Sequence, residues 1–247
     1  MPIEAFEDRI LNDLLPAFCN DPARRYDIAG FRQDFSKVHE KDAKNFLRAL
    51  DAGLVKLEGR LYRAPLSRAG EQFFWDGKRA AKPRLITLWL EPIITVAALC
   101  KLHFDFQWPK QLLGTQSVDW AFDVTAYLEA DLLNERIACE VKKTADELIQ
   151  LVELMHHFRR STTECPKAGK PRNAYKKVQG LRARRAPIFW ALGPGGQSLV
   201  FNVSYDEDGT LSFDEASSAA LAYPGSVSQQ SKSGLHCAID GKMPSSV

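Results

Sequence analysis

The chain has 247 residues, 45% of them hydrophobic and 26% charged, with a formal net charge of +2. That length allows one large or two modest domains with their own cores, and the composition excludes fibrous and disordered classes. No window approaches the ~18–20 consecutive apolar residues of a membrane span, and the acidic start is unlike a secretory signal, so a cytoplasmic protein is expected.

The five cysteines, Cys19, Cys100, Cys139, Cys165 and Cys237, are scattered and form no Cys-x-x-Cys pair. They read as buried or incidental thiols rather than a zinc site or a disulfide framework. The small net charge conceals local clustering, which matters more than the total for contact with a polyanion.

In chain order, Ile3, Phe6, Ile10, Leu11 and Leu14 recur at helical spacing, and Pro16 is expected to limit that helix. A second apolar series, Ile28, Phe31, Phe35 and Val38, predicts a short helix. A third, Ala43, Phe46, Leu47 and Leu50, predicts a helix over 40–52 that Gly53 ends. Two short runs around Glu58-Gly59 then predict a β-hairpin. Lys37, Lys41, Lys44 and Arg48 fall at spacings of four, three and four, which would make one basic stripe on a continuous helix. Three helices and a hairpin resemble a winged helix-turn-helix domain, and the resemblance implies a basic third helix directed at DNA. An ordinary solvated helix face or a dimerisation module is the plainer alternative.

Residues 70–83 have the turn-rich character of a linker. The expected division is therefore a winged-helix-like DNA-binding domain over 1–82, a second domain over 83–223, and a loosely ordered tail over 224–247. Within the second domain, Glu91-Pro92 opens a strongly apolar helix. A strand is expected over 117–127, with Asp119, Ala121, Asp123 and Thr125 on one face and Trp120, Phe122, Val124 and Ala126 on the other. The next strand holds Glu140 and Lys142 on one face, with Cys139, Val141 and Lys143 on the other.

Thr144-Ala145-Asp146-Glu147 is a capping box, so a helix starts there, with Leu148, Leu151, Val152, Met155 and Phe158 as its apolar stripe. Ten Lys or Arg residues and a single acid follow between 159 and 185. Arg159, Arg160, Lys170, Arg172, Lys176 and Lys177 are candidates for phosphate contact there, against the alternative of a solvated loop and a polar helix face. Buried strands are expected at 187–192 and 198–205.

Asp123 on one strand, Glu140-Val141-Lys142 on the next and a capped helix directly after resemble the PD-(D/E)xK nuclease superfamily over residues 85–205. The resemblance implies an α/β (α+β) domain with a restriction-endonuclease-like mixed sheet flanked by helices. It also implies a Mg-dependent deoxyribonuclease, with Mn as a substitute ion. Asp123, Glu140 and the Val141 carbonyl would hold the ion, and Lys142 would position the attacking water. Phe122 stands where the family motif has proline. Glu91 could match an additional metal-binding glutamate or simply face the helix dipole. Gln150 could be an accessory residue, and Asp119 an outer one. His156 and His157, adjacent on a helix, make a poor metal pair. DNA is the expected partner, with a homodimer as a further possibility. The alternatives are a DNA-binding regulator that keeps the fold without catalysis, and an RNA nuclease.

Overall fold

The computed structural model describes residues 2–78, 81–117, 119, 121–130, 132–160, 162 and 164–225. The 226–247 part of the expected tail, together with Val118 and Trp120 of the expected strand, lies outside them. Among the described residues, no helix is long and apolar enough to cross a membrane.

The first helix outruns its proline. α1 (Pro2–Arg9) passes through a π-helical turn (Ile10–Leu14) into α2 (Leu15–Cys19), with the Leu15 N–H reaching back to the Ile10 carbonyl. The wide turn resets the register, and Pro16 falls in the first turn of the next segment, where its missing N–H is tolerated.

The helix expected through Phe31, Phe35 and Val38 does not form. Only a 3-10 turn, Ile28–Gly30, is present, started by Asp27, whose side chain accepts from the Ala29 N–H. Phe31 then bridges Ile86, and Asp34 closes a local turn onto the Ser36 N–H. The aromatic spacing serves another end: Phe35 packs on Phe6 and Phe31 on Phe74. Apolar residues three and four apart can pin a loop as well as a helix.

α3 (Glu40–Asp51) forms as its periodicity predicts, and β1 (Lys56–Glu58) pairs with β2 (Leu61–Arg63) as the expected hairpin. Lys37 precedes the helix, so the basic stripe on α3 is shorter than expected. A second antiparallel pair follows, β3 (Phe74–Asp76) with β4 (Ile86–Leu88). α4 (Leu90–Phe104) is buried along most of its length, as its unbroken apolar run requires.

The main sheet is mixed and six-stranded, in the order β10-β9-β8-β7-β6-β5. Its strands are β5 (Leu113–Thr115), β6 (Val124–Tyr127), β7 (Glu135–Val141), β8 (Ile188–Leu192), β9 (Ser198–Tyr205) and β10 (Leu211–Ala216). Only β7 and β8 are parallel. Between them run α5 (Ala145–His157) and α6 (Gly169–Arg184), the crossover that a parallel pair needs. The protein is therefore of mixed α/β class, with helices on both faces of the sheet.

Alternation along the strands sorts the core into two layers. Val124, Ala126, Cys139, Val141 and Trp190 join α4 and the N-terminal elements, including Phe6 and Phe46, in one continuous buried cluster. Ala138, Phe189 and Ala191 face the other way, onto Leu151 and Met155 of α5 and Val178 and Leu181 of α6. α3 is fixed to the sheet as well as to α4. Buried Asp42 accepts a 2.6 Å hydrogen bond from the Gly195 N–H in the β8–β9 turn. Gly195 has φ 67°, and a Cβ there would come within 2.7 Å of the His39 ring, so only glycine fits.

Because Phe46 is fully buried in the layer that joins α3 to the rest of the core, Phe46→Ala is expected to cost ~3–5 kcal/mol in equilibrium denaturation. A loss under about 1 kcal/mol would show that this layer is not tightly packed.

Candidate active site

β7 carries Glu140 with its side chain on the α5–α6 face of the sheet, since Cys139 and Val141 point into the opposite layer. Lys142, one residue beyond the strand, returns to the same side. The alternation read from the sequence places both as expected. Thr144 caps α5 by accepting from the Glu147 N–H at 3.2 Å, which sets the helix start beside Lys142.

The preceding strand is shorter than the sequence suggests. Residues 117 and 121–122 form a loop tied together by the Ser117 hydroxyl, which accepts from the N–H groups of Ala121 and Phe122 and donates to Asp119 Oδ1. The expected two-face pattern therefore fails before Asp123: Phe122 lies in the α5–α6 layer while Val124 and Ala126 lie in the other. Serine and aspartate compete with the ladder by offering their own acceptors to nearby amides.

Asp123 stands at the entrance to β6. Its N–H donates to the Cys139 carbonyl at 2.9 Å, and its Oδ2 accepts from the Val141 N–H at 2.8 Å. The second bond aims the aspartate at the Glu140–Lys142 segment. Lys142 Nζ is 2.5 Å from Glu140 Oε1 and 3.0 Å from the Val141 carbonyl oxygen. Lys177 Nζ, from α6, is 2.5 Å from Glu140 Oε2 and 2.7 Å from the Ala121 carbonyl oxygen. Glu140, only 3% exposed, thus has one ammonium on each carboxylate oxygen.

A buried carboxylate is costly unless paired, and these two contacts meet that cost. Burial, reinforced by the Glu140 charge, pushes the Asp123 carboxyl up to about 8 against the pull of Lys177, Lys142 and the Val141 N–H. Burial works to lower Lys142, but Glu140, Asp123 and Glu91 outweigh it and hold the ammonium above its ordinary range.

Glu140, Lys142 and Lys177 open onto a cleft of about 820 Å³ between the sheet, α5 and α6, while Asp123 lies behind them and is not part of its lining. Glu91 at the start of α4, Gln150 of α5, and Lys170, Asn173 and Lys176 of α6 line it as well. Gln150 accepts from Lys170 Nζ at 2.7 Å, linking the two helices across the cleft. Glu91 contributes negative potential felt at both Lys142 and Glu71.

Asp119 reaches the cleft from the loop rather than from a strand face. It pairs with Arg184, which is also 2.9 Å from buried Glu135. Burial works to raise the Asp119 carboxyl, but the Ser117 hydroxyl and Arg184 prevail and hold it low. The pairing latches α6 onto the loop, and Gly180 permits the approach: a Cβ there would meet the Ala121 Cβ at 2.9 Å.

The basic candidates divide by place. Lys170, Lys176 and Lys177 face the cleft. Exposed Arg172 donates to the Lys167 carbonyl, and Arg159 and Arg160 line a separate groove beside β10. On α3, Lys41 and Lys44 are exposed and Arg48 lies over the Phe104 ring at 3.5 Å, while Lys37 is exposed ahead of the helix. His156 packs against Phe201 and Phe213.

The sequence marks Lys177 as a candidate for phosphate contact and not as a partner of Glu140, and it does not mark Glu71 or Gln116 at all. Lys177 could have been placed by its spacing, since Ala174, Val178 and Leu181 form the inward stripe of α6 and position 177 borders it. Glu71 and Gln116 could not. Glu71, 6% exposed, accepts from Gln116 Nε2 at 3.1 Å, and that same nitrogen lies 3.5 Å from Asp123 Oδ1.

Among the described residues, no group of three or more His, Cys, Asp or Glu side chains is placed to hold a metal ion. The donors that do converge are two carboxylates and a backbone carbonyl. This all-oxygen set suits Mg²⁺, which commonly takes one or two carboxylates and completes its shell with water and substrate oxygens. Comparison with family models, curated proteins and solved structures finds no match.

Burial raises Glu71 to about 7. Between about pH 4.5 and 7 the folded protein keeps a proton that the unfolded chain releases, so this residue lowers stability as pH rises through that window. Glu71→Gln is expected to remove a stability loss on the order of 2–3 kcal/mol between denaturation curves at pH 4.5 and 7.5. Parallel pH profiles for the two proteins would contradict it.

Proposed function

We propose that the protein is a metal-dependent nuclease with a restriction-endonuclease-like domain, hydrolysing phosphodiester bonds of DNA in the cleft beneath α6. The observation that carries this reading is the juxtaposition of Asp123 with the Glu140–Lys142 segment, whose two charged side chains line a cleft with a basic helical wall. The element order supports it too: a buried helix, an antiparallel β5-β6-β7 meander, a capped helix, and a strand parallel to β7.

Asp123, Glu140 and the Val141 carbonyl would hold a divalent ion. When bound, such an ion supplies a Lewis acid for the scissile phosphate and lowers the pKa of a water to make the nucleophile. The Val141 N–H keeps Asp123 oriented toward its neighbour. Lys142 is an ammonium donating to two oxygens, so its role is to orient the attacking water and offset charge on the phosphate rather than to remove a proton. Lys170 and Lys176, with Asn173, give a strand backbone a set of donors along one helix face. The exposed cations of α3 would add a second, sequence-independent contact to the duplex.

Purified protein incubated with plasmid, linear duplex, single-stranded DNA and RNA tests the reading, with Mg²⁺ or with EDTA. Magnesium-dependent cutting of DNA is expected, reduced at least about 100-fold in Asp123→Ala and in Lys142→Ala. Cutting that survives in either variant, or that persists in EDTA, contradicts the site. Gel shifts without cleavage favour a binding module, and cutting of RNA alone reassigns the substrate.

A further inference from the structure

The two ammonium groups on Glu140 are not equivalent. Lys177 is the more enclosed, with its side chain 13% exposed. Its second acceptor is the Ala121 carbonyl, and its Nζ lies 5.6 Å from the centre of the Phe122 ring. The helix that carries it is fastened just beyond this contact: Gly180 sits against Ala121, and Arg184 pairs with Asp119 and Glu135. Apart from Glu140 itself, Lys177 is thus held by groups that do not belong to the proposed ion site.

Lys142 has the opposite surroundings. Its side chain is 22% exposed at the cleft mouth. Its two acceptors, Glu140 Oε1 and the Val141 carbonyl, are two of the oxygens assigned above to the divalent ion. Asp123 and Glu91 draw positive charge to the same point. A lysine ammonium is a compact point charge on a flexible stem, able to leave such a position by rotating about its own side chain.

We propose that Lys142 occupies the cation position of this site and is displaced by the divalent ion, whereas Lys177 is a positioning residue that stays on Glu140 throughout. The inference rests on the reading of Asp123, Glu140 and Val141 as the ion's ligands. Loading is then an exchange of one cation for another at the same oxygens: the ammonium moves into the cleft, and the carboxylate is never left bare. Lys142 becomes free to meet water or phosphate only once the ion has arrived. Lys177 keeps one Glu140 oxygen neutralised in both states, which limits the rotation of the carboxylate.

The test is Mn²⁺ binding to the full chain without nucleic acid, by titration calorimetry or by the loss of the free-ion paramagnetic resonance signal, at constant ionic strength. Lys142→Met is expected to bind Mn²⁺ about tenfold more tightly than the wild type or better, because the competing cation is gone. Lys142→Gln, which places no charge there, should behave alike. Lys177→Gln should gain less than Lys142→Met, since it leaves the exchange position filled. Affinity unchanged or weakened in both Lys142 variants overturns the proposal, as does a larger gain in Lys177→Gln. Glu140→Gln separates the two levels of the argument. If it binds Mn²⁺ as well as the wild type, or if neither wild type nor Lys142→Met binds the ion, the ligand assignment itself fails and the exchange with it.

Discussion

A carboxylate buried in the middle of a sheet determines how the rest of this structure is built. Glu140 lies on a central strand with its charge out of reach of bulk water, and such a group is tolerated only when opposite charges are brought to it. Lys142 follows directly on the same strand and needs nothing but continued alternation. Lys177 comes from a helix 35 residues further along, and much of the α5–α6 layer can be read as the means of delivering it. The apolar stripe of α6 presses the helix onto the sheet. Arg184 and Gly180 then lock that helix to the loop before β6, and the loop's Ala121 carbonyl becomes the second acceptor for Lys177.

The same constraint links the site to the N-terminal half. α4 packs against the far face of β6 and β7, so the strand that Asp123 leads into and the strand bearing Glu140 have their backs against a continuous apolar layer reaching to α1 and α3. The near face can then afford charge. Asp42, hydrogen-bonded to Gly195, ties α3 to the turn after β8, the strand that pairs in parallel with β7. Glu91, on the first turn of α4, brings a further acid to the cleft from this side, close enough to act on Lys142 through space.

What the sequence made legible follows from local rules that tertiary packing did not override. The faces of β7 follow from strict alternation at Cys139, Glu140 and Val141, and the start of α5 from the Thr144 cap. Burial of α4 follows from an apolar run too continuous for a surface helix. Where packing or side-chain acceptors intervened, the reading failed. Ser117 and Asp119 captured amides that a longer strand would have used, so the loop turned Phe122 to the opposite layer. Phe31 and Phe35 were spaced for a helix but serve an aromatic cluster with Phe6 and Phe74. Pro16 was bypassed by a π-helical turn. The partnership of Lys177 with Glu140 spans 37 positions, and the place of Glu71 beside Gln116 spans 45; no local pattern encodes either.

The central proposal is that Asp123, Glu140 and Val141 form a divalent-cation site beside the α5–α6 cleft, which Glu140 lines. Paramagnetic broadening of backbone amide resonances by sub-stoichiometric Mn²⁺ tests it directly. The account predicts that the amides of Asp123, Glu140, Val141 and Lys142 broaden first, followed by those near Lys177, while α3 and the groove at Arg159 and Arg160 are unaffected at the same ion concentration. Selective broadening elsewhere, or uniform weak broadening with no centre at these residues, would contradict it.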